Sequence, residues 1–148
     1  DEDGPHFVSM VTLERAGAQD FALWQSFDPH LAESEYRLKA EAGRCLFVYE
    51  AGQAVGVLRW QLFWDWIPFV TLLWLTGDRR GRGVGRQAME QWEAQMRAGG
   101  HRLAMTSTMA EEDAQHFYHR LGYHDCGCLV KNCPPLVENM EIFLIKAL

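Results

Sequence analysis

Four arginines and three glycines are interleaved between Arg79 and Arg86. Guanidinium groups bind phosphate oxygens through paired charge-assisted hydrogen bonds, and glycines let an anion approach the main chain where a side chain would obstruct it. The spacing excludes two common phosphate loops. A nucleotide-triphosphate loop would continue Gly-Lys-Ser/Thr, whereas Gly85 is followed by Arg86-Gln87, and the third glycine of the dinucleotide fingerprint is also replaced by Arg86. The pattern therefore predicts an anion site of another kind.

The flanking sequence predicts a strand before this loop and a helix after it. Val70 to Leu75 is a nearly unbroken apolar run, long enough for one buried strand and too short for a helix. From Val84 the period becomes helical, and Gly99-Gly100 is predicted to end the helix. The first turn of such a helix offers unpaired N–H groups and the positive end of the helix dipole, which favour an anion. The predicted inner stripe is Val84, Ala88, Trp92 and Met96, and the residues predicted to face water are Arg86, Glu90, Glu93 and Arg97.

Composition limits the class of protein. A length of 148 residues with 48% hydrophobic and 23% charged residues predicts a single domain, which we place at residues 10–148. Residues 1–9 lack the basic start and apolar middle of a signal peptide, and we interpret them as a vector-derived remnant or a disordered lead. The net charge of −6 disfavours nucleic-acid binding. Because no transmembrane-length apolar run or export signal is found, we expect no membrane partner and a cytoplasmic protein, with four cysteines as free thiols.

The remaining pattern predicts further strands and helices in a definite order. It begins with a short strand at 10–13, helices at 18–27 and 31–42, and strands at 45–50 and 55–64, with 65–68 as a connector. After the central strand and helix come a strand at 102–108, a helix at 111–121, and two closing strands at 123–131 and 140–146. Strand, helix, strand in succession predicts a right-handed parallel crossover.

A second motif lies in the last helix. The segment Ala114-x-x-Phe117-Tyr118-x-x-Leu121-Gly122-Tyr123, together with Arg80-x-x-Gly83-x-Gly85 about thirty residues earlier, resembles the two signatures of the GNAT superfamily of N-acetyltransferases. The resemblance covers nearly the whole chain from Met10. It implies the GNAT fold, an α/β (α+β) architecture. This is a mixed, mostly antiparallel sheet of about six or seven strands, with a V-shaped opening between two parallel strands and about four flanking helices.

The resemblance also implies a cofactor and a reaction. Acetyl-CoA would give its acetyl group to a primary amine of a small molecule or peptide by direct attack, without a metal. The backbone N–H of Leu75 would polarise the thioester carbonyl. The implied cofactor contacts come from the end of the central strand, the loop and the last helix: Trp74, Leu75, Thr76, Arg80, Gly81, Arg82, Gly83, Val84, Gly85, Arg86 and Phe117.

The implied general acid is Tyr118, which would protonate the leaving thiolate, and a core aromatic is the alternative interpretation. No acid lies between Phe69 and Gly77, so we take Asp65 as the first candidate for the base, followed by Glu33 and Glu35. One position departs from the family pattern, since Glu111 stands where relatives often have a cofactor-binding asparagine.

The residues predicted to line the acceptor groove are Trp24, Glu33, Trp64 and Trp66, because aromatic faces suit an apolar or cationic acceptor.

Two other functions stay open. The chain could be a non-catalytic acyl-CoA-binding module, or it could hold zinc through the histidines and cysteines between His116 and Cys133, although paired Cys-x-x-Cys knuckles are absent. The sequence leaves a monomer and a homodimer equally open.

Overall fold

A computed structural model describes residues 10–81 and 83–148. The predicted lead at residues 1–9 therefore lies outside the described residues, as does Arg82. Within these described residues, seven strands and four α-helices follow one another in the predicted order. Two short 3-10 turns, Ala18–Asp20 and Gly77–Arg79, precede the first helix and follow the fourth strand. The elements are β1 Val11–Arg15, α1 Phe21–Phe27, α2 Glu33–Glu41, β2 Cys45–Glu50, β3 Gln53–Phe63, β4 Ile67–Leu75, α3 Val84–Ala98, β5 Leu103–Met109, α4 Ala114–Arg120, β6 His124–Cys133 and β7 Leu136–Ala147.

The strands form one open mixed sheet in the order β1-β2-β3-β4-β5-β7-β6. Strands β1 with β2, β2 with β3, β5 with β7 and β6 with β7 pair antiparallel, and β4 pairs parallel with β5. Two register pairs, Phe69↔Met105 and Val70↔Thr106, join the two parallel strands. This parallel pairing is short, which agrees with the V-shaped opening predicted between the two strands. The fold class is the predicted one.

The described chain divides into two compact units. The first contains the chain up to Arg59 together with Leu72–Trp92. Two apolar clusters among its described residues are built on β2 and β3. One cluster is aromatic, with Trp24 and Tyr36 packed around Phe47, and the other joins the end of β4 to the first turns of α3 through Leu75 and Val84. All four residues of the predicted α3 stripe are buried, which confirms that interpretation.

The second unit contains Trp60–Thr71 and Glu93–Leu148. An apolar cluster of Phe63, Phe69, Met105 and Phe143 covers one face of its strands. This unit also buries a charged side chain, that of Glu93. Glu93 is 2% exposed and accepts hydrogen bonds from the Tyr123 hydroxyl at 2.7 Å and from Lys146 Nζ at 2.8 Å. The prediction that Glu93 faces water is therefore wrong, because these two donors compensate the burial of its charge.

Several predicted element boundaries are also wrong. Helix α4 begins at Ala114 rather than 111, since Glu112 accepts from the Met109 N–H and forms a turn before the helix. Strand β4 begins at Ile67 and includes Pro68, which was predicted to lie in a connector. The loop predicted between the last two strands shrinks to Pro134-Pro135, because β6 and β7 continue pairing to Cys133↔Leu136.

Candidate active site

The loop that follows β4 is fixed to the first unit by main-chain hydrogen bonds. Thr76 N–H donates to the Val55 carbonyl at 2.9 Å, and the Thr76 carbonyl accepts from Arg79 N–H at 2.9 Å. The Thr76 hydroxyl donates to Asp78 Oδ1 at 2.9 Å. Both main-chain groups of Thr76 have partners within the chain, but its carbonyl has a second lone pair, and Thr76 stays a predicted cofactor contact.

Gly81 and Gly83 give the loop its shape. Their φ angles are +75° and +81°, in the left-handed region that favours glycine. Helix α3 begins at Val84, and the Gln87 N–H donates to the Gly83 carbonyl at 3.1 Å. The N–H groups between Gly83 and Gln87, including that of Gly85, belong to the first turn and have no partner inside the helix.

The three described arginines of the loop have different environments. Arg80 is exposed, and its Nε donates to the Leu75 carbonyl at 3.2 Å while the guanidinium carbon lies 5.7 Å from the centroid of the Trp74 ring. This arrangement fixes the stem of the side chain. Arg79 instead pairs with the buried carboxylate of Glu50 at 3.0 Å. Arg86 is 69% exposed and lies 3.5 Å from Glu90.

These residues fit a diphosphate. A Cβ built on Gly81 or on Gly83 would meet no atom within 4 Å, so the main chain is open to a ligand at both positions. The donors are first-turn N–H groups together with the guanidinium groups of Arg80 and Arg86, a set that suits phosphate oxygens. Arg79 contributes less positive charge because Glu50 neutralises it.

Close packing of main chains marks the end of β4. A Cβ on Gly56 of β3 would lie 2.2 Å from the Trp74 carbonyl oxygen, so only glycine fits there. Sequence reasoning did not identify Gly56, because nothing in its neighbours predicts how closely β4 approaches. Leu75 itself is 9% exposed, and its carbonyl is the acceptor for Arg80.

Tyr118 lies in the second unit on the buried face of α4. It is 6% exposed, and burial raises the pKa of its phenol to about 12, while a hydrogen bond with the Thr106 hydroxyl opposes this shift. The ring of Phe117, which is half-buried, lies 4.9 Å from the Tyr118 ring in an edge-to-face arrangement. Ala114, the first residue of the motif, is exposed.

The residues predicted for the base and the acceptor groove have very different exposures. Trp64 and Trp66 are 75% and 54% exposed at the turn between β3 and β4, with Asp65 between them. Trp64 and Asp65 adopt φ angles of +54° and +64°, a conformation that bulky residues rarely adopt. Trp24 is 0% exposed, and its Nε1 donates to Asp28 at 3.0 Å, so we assign it to the core.

Glu33, also predicted for the acceptor groove, pairs with Arg37 one helical turn away at 2.6 Å. Both side chains are half exposed. This contact accounts for Glu33 as a surface charge of α2, since pairs of this kind stabilise isolated helices.

The sequence did not predict a cluster of polar side chains around Glu141 in the second unit. Ser107 Oγ donates to Glu141 Oε2 at 2.7 Å, and Lys131 Nζ donates to Glu141 Oε1 at 2.9 Å and to Glu138 at 3.0 Å. These hydrogen bonds, which Lys131 donates to the two glutamates, raise the pKa of the lysine. The residues are far apart along the chain, so only the register of β5, β6 and β7 brings them together.

Within residues 10–81 and 83–148, no group of three or more His, Cys, Asp or Glu side chains is arranged to hold a metal ion. Cys126, Cys128 and Cys133 are exposed free thiols, and His119 pairs with Asp125 at 2.8 Å. The helices of the same described residues include none that is long and apolar enough to span a bilayer.

Comparison with solved structures supports the fold. An acetyltransferase of the GNAT family from Bacillus cereus is 20% identical, with a TM-score of 0.71, and the match covers 93% of this chain and 97% of that one. A GNAT family acetyltransferase from Elizabethkingia anophelis with acetyl-CoA bound is 14% identical (TM-score 0.73, 93% and 98% covered). Naa50 of Arabidopsis thaliana in complex with a bisubstrate analogue is 15% identical (TM-score 0.74, 93% and 99% covered).

No curated protein matches the chain. The family profile of the acetyltransferase (GNAT) family, however, matches residues 10–123, which include both the glycine loop and Tyr118. The chain belongs to the acetyltransferase (GNAT) family.

Proposed function

We propose that this protein transfers the acetyl group of acetyl-CoA to a primary amine of a small molecule or a peptide, by direct attack in a ternary complex. The observation that carries the proposal is the loop between β4 and α3. Its glycines at positive φ leave the first turn of a 15-residue helix open, and Arg80 stands beside it with a fixed stem.

In this proposal, the loop binds the diphosphate of the cofactor. The N–H groups of the first α3 turn and the guanidinium groups of Arg80, Arg82 and Arg86 neutralise its charge. Main-chain groups of Trp74 and Leu75 and the ring of Phe117 contact the remainder of the cofactor. The Leu75 N–H stabilises the negative charge that develops on the carbonyl oxygen during attack. Acetyl-CoA itself supplies an activated thioester.

Tyr118 acts as the general acid for the leaving thiolate. Its phenol, with a pKa of about 12, remains protonated throughout the neutral range. A thiol, with a pKa of about 8.5, is a stronger acid than this phenol. Proton donation by Tyr118 therefore needs a neighbour that stabilises the phenoxide.

The amine must lose a proton, and we propose a carboxylate of the second unit as its acceptor. Asp65 is the candidate that the sequence predicts, at an exposed turn. Glu141 is the candidate that the fold adds, since it is one-fifth exposed and already accepts a hydrogen bond from the part-buried Ser107 hydroxyl. A base in such a site is shielded from solvent, in contrast to Asp65.

For the acceptor, we propose contact with Trp64 and Trp66. Two exposed indole rings flanking a carboxylate suit an amine with an apolar part, because the rings attract a cation and Asp65 adds negative charge. This proposal rests on exposure and chemistry at the turn.

The experiment is calorimetric titration of acetyl-CoA, followed by a panel of polyamines, aminoglycosides, amino acids and short peptides. Products are to be read by mass spectrometry, because three exposed cysteines would react with thiol reagents. Binding with an acetylated product supports the proposal, and no binding overturns the cofactor site. Binding without product from any amine favours the non-catalytic acyl-CoA-binding module.

Localisation in the cytoplasm and assembly as a monomer or homodimer also remain proposals. Three exposed cysteines without a disulfide are typical of a reducing compartment. Light scattering at several protein concentrations would determine the oligomeric state.

A further inference from the structure

An ion pair connects the glycine loop to a distant strand of the first unit. Arg79 Nη1 lies 3.0 Å from Oε1 of Glu50, the last residue of β2. Glu50 is 6% exposed, and the burial of a carboxylate is unfavourable unless a cation or hydrogen bonds compensate it. Arg79 supplies that cation. The pair therefore neutralises Glu50 and acts as a tether, an ion pair that fixes the loop to β2.

Two other side-chain contacts of the loop are local. The Thr76 hydroxyl donates to Asp78, two positions along the chain. Arg80 Nε donates to the carbonyl of Leu75, five positions back. Asp78 also lies 3.9 Å from Arg79, but its side chain is 75% exposed, and exposed pairs of this kind contribute little. These contacts stay within the loop and the end of β4, whereas the tether crosses to another strand.

The glycines that follow Arg79 benefit from such a constraint. Gly81 and Gly83 both adopt positive φ, and a Cβ built on either would meet no atom within 4 Å. Glycine loses more conformational freedom on ordering than any other residue, and ordering a segment on association opposes binding. A loop that is already fixed at Arg79 presents its N–H groups to an anion with a smaller loss of entropy.

We propose that Glu50 is a positioning residue for the cofactor loop, acting through Arg79, and that Arg79 belongs to the tether and is not a phosphate ligand. The inference rests on the proposed function and deepens it, because it separates Arg79 from the phosphate-binding arginines. Arg80 and Arg86 are exposed to a ligand, whereas the charge of Arg79 is neutralised by a buried carboxylate.

The two possible roles of Arg79 predict opposite effects of one substitution. Glu50→Gln keeps the size of the side chain and removes its charge. If Arg79 were a phosphate ligand held away from the anion by Glu50, this change would release it, and acetyl-CoA would bind more tightly. If the pair is a tether, the same change frees the loop, and acetyl-CoA binds more weakly.

The test is calorimetric titration of acetyl-CoA into the wild type, Glu50→Gln, Arg79→Met and the double variant. We expect Glu50→Gln to raise the Kd about tenfold, since the ordering of a flexible segment opposes association on this scale. At saturating acetyl-CoA, kcat should change by less than about twofold, because the loop acts on binding and not on the chemical step. A loss of kcat at saturation would contradict a role in binding alone and overturn the inference.

The double variant is expected to bind no more weakly than the weaker single variant, because the two side chains act as a unit. It also contains no unpaired charge, so we expect it to fold even if Arg79→Met, which leaves a buried carboxylate alone, does not. Circular dichroism at the titration temperature shows which variants are folded.

Glu90→Gln is the matched control. It removes the same charge from another arginine of the site, Arg86, but that pair is exposed, at 3.5 Å within α3. We expect its Kd to stay within about twofold of that of the wild type, because exposed pairs contribute little.

An unchanged or lowered Kd in Glu50→Gln, an equal rise in Glu90→Gln, or additive losses in the double variant would each overturn the inference. In all three cases, binding by the wild type would leave the proposed cofactor site standing. If the wild type does not bind acetyl-CoA, the cofactor site and the positioning role are both overturned.

Discussion

The glycine loop of the first unit and the buried Glu93 network of the second unit are built in opposite ways. The loop uses main-chain N–H groups and side chains that are contiguous along the chain, and its arginines are largely exposed. The Glu93 network instead joins side chains that lie 30 and 53 positions apart along the chain, so it depends on the tertiary fold. We therefore expect different substitutions to impair the two regions. An obstructing side chain impairs the loop, whereas the loss of a single atom or charge impairs a buried polar pair.

The largest effect is expected from obstruction of the loop. Gly83→Glu places a side chain and a negative charge where we propose that the diphosphate binds, and we expect acetyl-CoA affinity to fall more than about a hundredfold, because the positive φ favours glycine and the added carboxylate repels an anion. The matched control is Gly52→Glu, which has a similar φ of +77° and equally open space at another turn. Normal binding by Gly83→Glu in calorimetry would show that the loop is not the anion site.

The buried network of the second unit should be costly to break. Glu93→Ala leaves Lys146 and Tyr123 without their acceptor, and we expect a loss of about 3–5 kcal/mol in the free energy of unfolding. Glu90→Ala on the same helix removes an exposed pair with Arg86 and is expected to change stability by less than about 0.5 kcal/mol. Urea denaturation measures both, and similar values for the two variants would contradict the buried role of Glu93.

Removal of the Tyr118 hydroxyl tests the proposed acid. Tyr118→Phe is expected to reduce kcat by about a hundredfold or more, with the KM for acetyl-CoA unchanged, since general acid catalysis contributes on this scale. Tyr49→Phe, a tyrosine of the first unit, is the control. A fall in stability without a fall in kcat would indicate that Tyr118 is only a core aromatic.

The two candidate bases are distinguished by pH dependence. If Glu141 accepts the amine proton, Glu141→Gln should reduce kcat about tenfold or more and move the optimum to higher pH, where the free amine is more abundant. Asp65→Asn should then leave kcat within about twofold. The opposite result would assign the base to the exposed turn.

The smallest effect is expected at alkaline pH. Burial raises the pKa of Tyr36 and of Tyr118 from 10 to about 12. A raised folded-state pKa means that their contribution to stability is complete below about pH 10 and is lost as the pH rises towards 12. The melting temperature should fall across this window, and less steeply in Tyr36→Phe. An equally steep fall in that variant would contradict this account.

Much of the fold follows from local patterns. The central strand, the loop and α3 were predicted within a few residues, because an apolar run, a cluster of glycines and a helical period each specify one local conformation. The start of α4 was predicted three residues too early, since Glu112 forms a side-chain hydrogen bond that a helical pattern does not reveal. The β6–β7 hairpin was predicted too short, because its outer residues are exposed and lack the alternation expected of a half-buried strand.

The sequence alone determined the family and predicted the anion loop, because both depend on residues adjacent along the chain. Only the tertiary structure decided which polar side chains are buried and which partners they have. Glu93 has the helical position of a solvent-facing residue, yet residues 30 and 53 positions later enclose it. Thr106 and Glu141 acquire their contacts through strand register, which depends on packing across the whole sheet. The composition of a segment cannot specify such long-range pairs, because each partner alone is compatible with an ordinary surface position.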